Sequence, residues 1–217
     1  MEKIIVFDAY GTLFKIDTES EKLNAVLGSV KGAFLDLWRQ KILEYSWLTA
    51  LAEQWEGFNN IVNKAIHFCC DTFDIELDEV LPILMDIYEH PRLFEDAKLM
   101  FSSLKGTCSI MSNGELETLR NAVSENEIGK YIDQIFYAAK AQKFKVSPKV
   151  YRMATVHYNT GPGKMFFVSS NAWDIAGANF FGYTTVWVNR SGKIFDKLIE
   201  KPDYEIKSLE ELKDIGN

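Results

Sequence analysis

Residues 3–8 have the sequence Lys-Ile-Ile-Val-Phe-Asp, an apolar run with β-branched residues that ends in an acid. This pattern is typical of a strand buried on both faces of a parallel sheet. Similar short apolar runs follow at Cys108 to Met111, Gln134 to Tyr137, Met165 to Val168 and Tyr183 to Val188. The stretches between them have helical character, and they are Glu115 to Glu125, Pro148 to His157 and Ala172 to Phe181. Strands that alternate with helices predict an α/β fold built on a doubly wound parallel sheet.

The segment from about residue 17 to residue 92 has a different pattern. Its apolar residues recur at the three- and four-residue spacing of a helix, and strand-like alternation is absent. The residues that show this spacing are Leu35, Trp38, Ile42, Tyr45, Trp55, Phe58 and Val62. We therefore predict a helical cap subdomain at residues 17–92, inserted into a core domain of residues 1–16 and 93–217. The chain should return to the core near His90-Pro91-Arg92, where proline interrupts the helical pattern.

Composition limits the classes of protein to which this chain can belong. The 217 residues are 47% hydrophobic and 25% charged, which is ordinary for a globular protein. Its apolar runs stay well below the roughly 20 residues that cross a bilayer. The run from Ile4 to Phe7 is also too short for the apolar region of a signal peptide. We therefore expect a cytoplasmic protein that has no membrane partner.

The net charge limits the kinds of partner that the protein can bind, and the cysteine content bears on disulfide bonding. The formal net charge is −7, and the densest basic run, Lys140 to Lys149, is short. Because nucleic-acid binding needs a basic stripe that neutralises phosphates, we expect no nucleic-acid partner. A small anionic substrate is compatible, since its site needs only a few positive groups. The cysteines Cys69, Cys70 and Cys108 do not form a disulfide framework and are predicted to be reduced, packed thiols.

Three polar residues fall at the carboxyl ends of predicted strands, where parallel sheets bind their ligands. They are Asp8, Ser112 and Ser169. The glycine at position 11 allows a tight loop after Asp8, which would expose the carboxylate. The alternative is that Asp8 caps a turn or a helix. The convergence of three such strand ends favours a reactive site.

Four motifs surround these strand ends and carry a resemblance to a known family. They are Phe7-Asp8-Ala9-Tyr10-Gly11-Thr12, Ile110-Met111-Ser112-Asn113-Gly114, Lys145 alone, and Phe167-Val168-Ser169-Ser170-Asn171-Ala172-Trp173-Asp174. With Leu37-Trp38-Arg39-Gln40-Lys41 in the insertion, they make the sequence similar to the haloacid dehalogenase (HAD) superfamily. Within it, the sequence resembles the L-2-haloacid dehalogenases from end to end. The resemblance implies a HAD-like, Rossmann-like core with a helical cap, and a homodimer formed through that cap.

The residues present separate this branch from the magnesium-dependent phosphotransferases of the superfamily. Those enzymes have a second Asp two residues after the nucleophile, where this chain has Tyr10. They also have an Asp where this chain has Ser170. Because Mg²⁺ prefers hard, mostly anionic oxygen ligands, we expect no metal site and no cofactor. Two alternatives stay open: a HAD-like phosphatase with an altered metal requirement, and a catalytically silent HAD-like binding module.

The retained residues predict a two-step hydrolysis of a carbon–halogen bond. The Asp8 carboxylate can displace halide from C2 of a short L-2-haloalkanoic acid, with inversion, and form an aspartyl ester. Water then cleaves the ester to give a D-2-hydroxy acid, with Asp174 as the base. Arg39 would contact the leaving halide; its alternative interpretation is a solvated arginine on a helix face. The alternative for Asp174 is a charge at a helix N-terminus.

The resemblance also assigns roles to individual positions. Those predicted to be catalytic are Asp8, Thr12, Arg39, Ser112, Lys145, Tyr151, Ser169, Asn171 and Asp174. Those predicted to contact substrate are Ala9, Tyr10, Arg39, Phe58, Ser112, Asn113 and Trp173. The family has proline directly after its lysine, whereas Val146 follows Lys145 here, so Lys143 and Lys149 are further candidates for that role.

Overall fold

The computed structural model of the chain describes residues 3–199 and 201–215. The outer ends of the predicted core, residues 1–2 and 216–217, therefore lie outside the described residues. The strands, in chain order, are β1 (Ile4–Phe7), β2 (Phe14–Lys15), β3 (Arg92–Leu93), β4 (Thr107–Ser112), β5 (Ile132–Tyr137), β6 (Met165–Ser169), β7 (Thr184–Val188) and β8 (Tyr204–Ile206). The α-helices are α1 (Glu21–Leu27), α2 (Lys31–Leu51), α3 (Phe58–Phe73), α4 (Leu77–Glu89), α5 (Glu95–Ser103), α6 (Leu116–Glu125), α7 (Pro148–His157) and α8 (Ala172–Phe181).

A six-stranded parallel sheet in the order β5-β4-β1-β6-β7-β8 forms the core. Strand β1 lies between β4 and β6, and Ile5 aligns with Cys108 on one side and with Phe166 on the other. Successive side chains of a strand point to opposite faces of the sheet. Accordingly, Phe7 packs in the apolar cluster on one face and Val6 in the cluster on the other. Burial on both faces explains the uninterrupted apolar run that opens the sequence.

The helices α1 to α4 form an inserted unit between β2 and β3. These two strands pair antiparallel, with Phe14 opposite Leu93 and Lys15 opposite Arg92, so the chain leaves and re-enters the core side by side. The inserted helices have an apolar cluster of their own, to which the core contributes Phe144. The predicted fold class, a doubly wound parallel sheet with an inserted helical cap, is therefore confirmed. The exact boundaries at residues 16/17 and 92/93 stay a prediction.

One assignment in the helical pattern was wrong. Trp55 lies in the connection between α2 and α3, not on a helix with Phe58 and Val62. Gly57 has an extended backbone there, and the Glu115 carboxylate accepts a hydrogen bond of 2.7 Å from the Phe58 N–H, which starts α3. The loop has an apolar residue at this position because the Trp55 ring packs on that of Phe144, with 4.6 Å between the ring centroids. Helix α5 and strand β8 were not predicted.

None of the helices within residues 3–199 and 201–215 is long and apolar enough to cross a membrane. The three cysteines are buried and form no disulfide bond with one another, as the sequence predicts for packed thiols.

Candidate active site

The carboxyl ends of three neighbouring strands place the central polar residues. Asp8 directly follows β1, Ser112 ends β4 and Ser169 ends β6. Because β1 pairs with both β4 and β6, these ends lie side by side. The backbone N–H of Asp8 still donates to the carbonyl of Val168, at 2.9 Å, so the strand fixes the position of the carboxyl group. Asp8 is 5% exposed, which leaves it nearly free of bulk solvent.

The two carboxylate oxygens of Asp8 have unequal surroundings. Its Oδ2 accepts hydrogen bonds from Thr12 Oγ1 at 2.9 Å, Ser169 Oγ at 3.1 Å and Asn171 Nδ2 at 2.8 Å. Its Oδ1 accepts one, from Lys145 Nζ at 2.9 Å. Three donors therefore hold Oδ2 in place, whereas Oδ1 is the less occupied oxygen and the better placed to react.

The loop after Asp8 is held by groups that the sequence analysis did not identify. Gly11 has φ +82°, a left-handed conformation that glycine adopts without strain. The guanidinium of Arg190 donates to the carbonyls of Gly11 and Thr12, at 3.1 and 2.8 Å. It also forms a two-pronged ion pair with Asp96, at 2.8 and 2.9 Å. Arg190 lies after β7 and far along the chain from this loop, so no local motif signalled the contact.

Lys145 is the lysine that the structure brings into the site. It is 1% exposed, and its Nζ donates to Asp8 Oδ1 at 2.9 Å and to Asp174 Oδ2 at 2.7 Å. Its backbone N–H donates to Asn113 Oδ1 at 2.8 Å, which ties the lysine loop to the second motif. Lys143 instead donates to the carbonyl of Ala50, and Lys149 is exposed. The absence of proline after Lys145 therefore does not displace its ammonium group from Asp8.

Asp174 is fully buried behind Lys145. Tyr151 donates its hydroxyl hydrogen to Asp174 Oδ1 at 2.7 Å, and Lys145 occupies Oδ2. Burial raises the pKa of Asp174 to about 7; Lys145 opposes this shift, and the Asp8 carboxylate adds to it. Burial lowers the pKa of Lys145, but the two carboxylates outweigh it, so the net pKa lies above its ordinary value. Lys145 is therefore a cation at neutral pH, and Asp174 can exchange a proton near neutrality.

The cap contacts the core through polar groups as well as apolar ones. Arg39 Nη2, on α2, donates to Asn171 Oδ1 at 2.5 Å. The first N–H of α3 donates to Glu115 of the core at 2.7 Å. Arg39 is solvent-accessible, but its hydrogen bond shows that it is not only a solvated residue on a helix face. The Asn171 side chain accepts from the cap and donates to Asp8, so it links the cap directly to the carboxylate.

A cavity of about 320 Å³ lies between the cap and the carboxyl end of the sheet. Its walls are formed by Asp8, Tyr10, Ile16, Thr18, Leu35, Asp36, Trp38, Arg39, Ile42, Leu43, Phe58, Tyr88, Ser112, Asn113, Lys145, Asn171 and Trp173. All the predicted substrate-contacting residues are among them except Ala9, whose side chain is completely buried. Thr12, Ser169 and Asp174 lie behind the wall and form hydrogen bonds with Asp8 or Lys145, whereas Tyr151 lies farther back and donates to Asp174.

Some residues of this cavity were not predicted from the sequence. Asp36 lies three positions before Arg39 on α2, hence on the same helix face, and this spacing could have revealed it. Tyr88 stacks on Tyr10, at 4.8 Å between ring centroids. Nothing in the sequence around Tyr88 distinguishes it from an ordinary apolar position of α4, since the contact depends on how the cap packs on the core.

The oxygen donors of the site do not suit a divalent cation. Across the part of the chain that the structure describes, no three His, Cys, Asp or Glu side chains form a group that could hold a metal ion. The carboxylates of Asp8 and Asp174 share the ammonium of Lys145 instead. The Ser170 hydroxyl, at the position where the phosphotransferases have an acid, donates to the carbonyl of Gly11 at 2.7 Å.

Comparison with known proteins identifies the family. The model of the haloacid dehalogenase-like hydrolases matches residues 2–182. The chain is 34% identical over 211 residues to (S)-2-haloacid dehalogenase 1 of Pseudomonas sp. (strain CBS-3), covering 95% of this chain and 93% of the relative. It is 33% identical to (S)-2-haloacid dehalogenase 4A of Burkholderia cepacia, covering 95% and 91%. The chain therefore belongs to the haloacid dehalogenase-like hydrolase family.

A solved structure extends this comparison to a reacted site. The L-2-haloacid dehalogenase from Xanthobacter autotrophicus, solved with chloropropionic acid covalently bound, superposes with a TM-score of 0.89. The two chains are 27% identical, and the match covers 99% of this chain and 98% of that one.

Proposed function

We propose that this chain is an (S)-2-haloacid dehalogenase that hydrolyses short L-2-haloalkanoic acids to D-2-hydroxy acids. The observation that carries the proposal is the asymmetric binding of Asp8. One of its oxygens is held by three donors, and the other contacts Lys145 on the wall of the cavity between the cap and the sheet. The named dehalogenases among its relatives, and the covalent chloropropionic acid complex of the Xanthobacter enzyme, support it.

The first step is displacement of the halide by Asp8. A lone pair on Oδ1 attacks C2 of the substrate, and the carbon–halogen bond breaks as the halide leaves with its electron pair. The attack comes from the face opposite the halide and inverts C2. Lys145 forms an ion pair with Asp8, and burial removes the water that would weaken the carboxylate as a nucleophile. The product of this step is an ester between Asp8 and the substrate.

The substrate carboxylate and the halide have separate donors available in the cavity. The Ser112 oxygen accepts the N–H of Gly114 at 3.1 Å, so its hydroxyl hydrogen is free to bind a carboxylate. The Asn113 oxygen accepts the N–H of Lys145, which leaves its amide hydrogens for the ligand. Arg39 uses only Nη2 for Asn171 among the described contacts, so the rest of its guanidinium can receive the departing halide.

The second step is hydrolysis of the ester. Water adds to Cγ of Asp8 while Asp174 accepts its proton, and Oδ2 becomes the oxyanion of the tetrahedral intermediate. The hydrogen bonds from Thr12, Ser169 and Asn171 are already directed at Oδ2 and stabilise this charge. The bond between Cγ and Oδ1 then breaks, and the alkoxide takes a proton back from Asp174. The second proton of the water leaves the Asp8 carboxyl group for the solvent, where it balances the released halide, and the Asp8 carboxylate is restored.

The phosphatase alternative requires an acid–base group two residues after the nucleophile. Tyr10 occupies that position, and burial raises its pKa above the ordinary value for a tyrosine. A phenol of that acidity does not exchange protons at neutral pH, and it lacks the anionic oxygen that a metal ion prefers. We therefore do not favour phosphoryl transfer in this cavity.

Incubation with racemic 2-chloropropionate in the presence of EDTA tests the proposal. We expect chloride release to stop when half of the substrate is consumed, with D-lactate as the product and the D enantiomer left unreacted. The fixed positions of Asp8 and Arg39 allow only one enantiomer to present its rear face to Oδ1. Chiral chromatography and chloride assay measure the outcome. Equal consumption of both enantiomers, loss of activity in EDTA, or strong magnesium-dependent hydrolysis of p-nitrophenyl phosphate would contradict it.

We also propose that the protein is a cytoplasmic homodimer whose cap, residues 17–92, forms the contact. Leu48 and Leu51 of α2 and Phe68 of α3 are exposed apolar side chains on this cap, and a second copy would cover them. Light scattering should then give a mass twice the 24.9 kDa of one chain. A mass of one chain at micromolar concentration would argue against the dimer.

A further inference from the structure

Asp36 places an acid in the wall of a cavity that we assign to an anionic substrate. The wall around it is mainly apolar, with Ile16, Leu35 and Leu43 among its members. The hydroxyl of Thr18 is another polar group on this wall that has no part in the contacts of Asp8. Ser112 and Asn113 belong to the reaction described above, and the polar atoms of the tyrosine and tryptophan side chains on the wall are uncharged.

No structural role accounts for the Asp36 carboxylate. Asp36 is exposed, and within the described part of the chain nothing forms a hydrogen bond or an ion pair with it, although Arg39 lies only one turn away on the same helix. An acid interacts favourably with the helix dipole only in the first turn of a helix. Helix α2 begins at Lys31, so Asp36 lies beyond that turn and does not stabilise the helix in this way. Its charge is therefore available to a ligand in the cavity.

The charges around the cavity make this acid unfavourable for a simple haloacid. Lys145 is already shared by the carboxylates of Asp8 and Asp174, which leaves Arg39 as the one cation of the described cavity wall without a carboxylate partner. Asp36 offsets that remaining charge. An unpaired carboxylate repels a substrate whose only charge is negative, and it attracts a substrate that carries a positive group farther along its chain.

We propose that Asp36 is the distal subsite for a cationic group, so that the preferred substrates are L-2-haloacids whose chain ends in an ammonium group. This inference rests on the proposed dehalogenase function and specifies its substrate class. The halide-bearing carbon lies against Asp8, the apolar wall contacts the methylene chain, and the ammonium reaches Asp36, with the Thr18 hydroxyl as a second acceptor. A cavity of about 320 Å³ has room for a chain longer than that of 2-chloropropionate.

Matched pairs of substrates test the subsite. One series is 2-chloroacids that end in an ammonium group, lengthened one methylene at a time, and its partners end in a methyl group of nearly the same size. At the best chain length, we expect kcat/KM to favour the ammonium member by about fivefold, the size of one ion pair that keeps contact with solvent. Asp36→Asn should abolish this preference and lower the KM for L-2-chloropropionate at low ionic strength. Asp71→Asn, which removes the same charge from the exposed face of α3, should leave both unchanged.

The possible outcomes separate this inference from the function on which it rests. Equal kcat/KM values across all pairs, or a preference that survives in Asp36→Asn, would overturn the subsite while leaving the dehalogenase proposal intact. A hydroxyl-terminated series preferred as strongly as the ammonium series would also overturn it, because the recognition would not depend on charge. Failure of the unmodified protein to release chloride from L-2-chloropropionate would instead refute the proposed function, and the subsite with it.

Discussion

Asp8→Asn should reduce halide release by at least about 10⁴-fold while the protein stays folded. The amide has nearly the shape of the carboxylate, but it has no anionic oxygen with which to displace a halide. Its carbonyl oxygen can still accept from Thr12, Ser169 and Asn171, which places its NH₂ group next to the ammonium of Lys145. Two donors then face each other, so the variant should also lose the contact that orients Lys145.

Chloride assay and circular dichroism measure the two parts of this result. Asp71→Asn is the matched control, since it makes the same substitution on the cap away from the cavity. Mass spectrometry of Asp8→Asn after incubation with substrate should find no adduct on the peptide that contains residue 8. Chloride release within tenfold of the unmodified rate would exclude Asp8 as the nucleophile.

Asp174→Asn should block the second step and accumulate the ester. Without a base at this position, the hydrolytic water is not activated, and turnover should fall by about 10² to 10⁴-fold. Asp8 keeps its own donors and can still attack, so one equivalent of chloride should be released in a burst. The mass of the peptide that contains Asp8 should then increase by that of the substrate acyl group. The double substitution with Asp8→Asn should show neither burst nor adduct.

The pH dependence follows from the burial of Asp174. Its pKa is raised to about 7, and the ionised form is the base. In the ester Asp8 no longer has the charge that adds to this rise, so the midpoint for ester hydrolysis should lie below 7. The rate should be constant above the midpoint and fall as the pH decreases through it, approaching tenfold per pH unit. This dependence should disappear in Asp174→Asn. If Asp174→Asn loses chloride release without any ester, Asp174 acts before displacement, through the position of Lys145.

The fold and the reacting residues were predictable because their signals are local. A strand buried on both faces, as β1 is, must be apolar throughout, and a residue that directly follows it must lie at the edge of the sheet. The sequence therefore locates Asp8, Ser112 and Ser169 without knowledge of the cap. The motifs that follow these strands are short continuous stretches of sequence, which makes the family recognisable. The resemblance to that family then identifies Lys145 and Asp174 as further residues of the site.

What the sequence did not show depends on contacts between distant parts of the chain. Arg190 supports the loop after Asp8 from 178 positions away in sequence, and its own neighbours along the chain have no part in that contact. The pairing of Trp55 with Phe144 makes a loop residue look like one face of a helix. The stacking of Tyr88 on Tyr10 exists only because the cap packs on the core. Such contacts are set by tertiary packing, which periodicity and spacing do not encode.

The unequal binding of the two Asp8 oxygens gives them different fates in the proposed cycle. Oδ2, which accepts hydrogen bonds from Thr12, Ser169 and Asn171, stays in the protein through every turnover. The oxygen beside Lys145 leaves as the new hydroxyl of the product, and an oxygen from water replaces it. The hydroxyl oxygen of each product molecule was therefore an oxygen of Asp8 when that turnover began. Water supplies its replacement, so one oxygen atom of the protein is exchanged in every turnover.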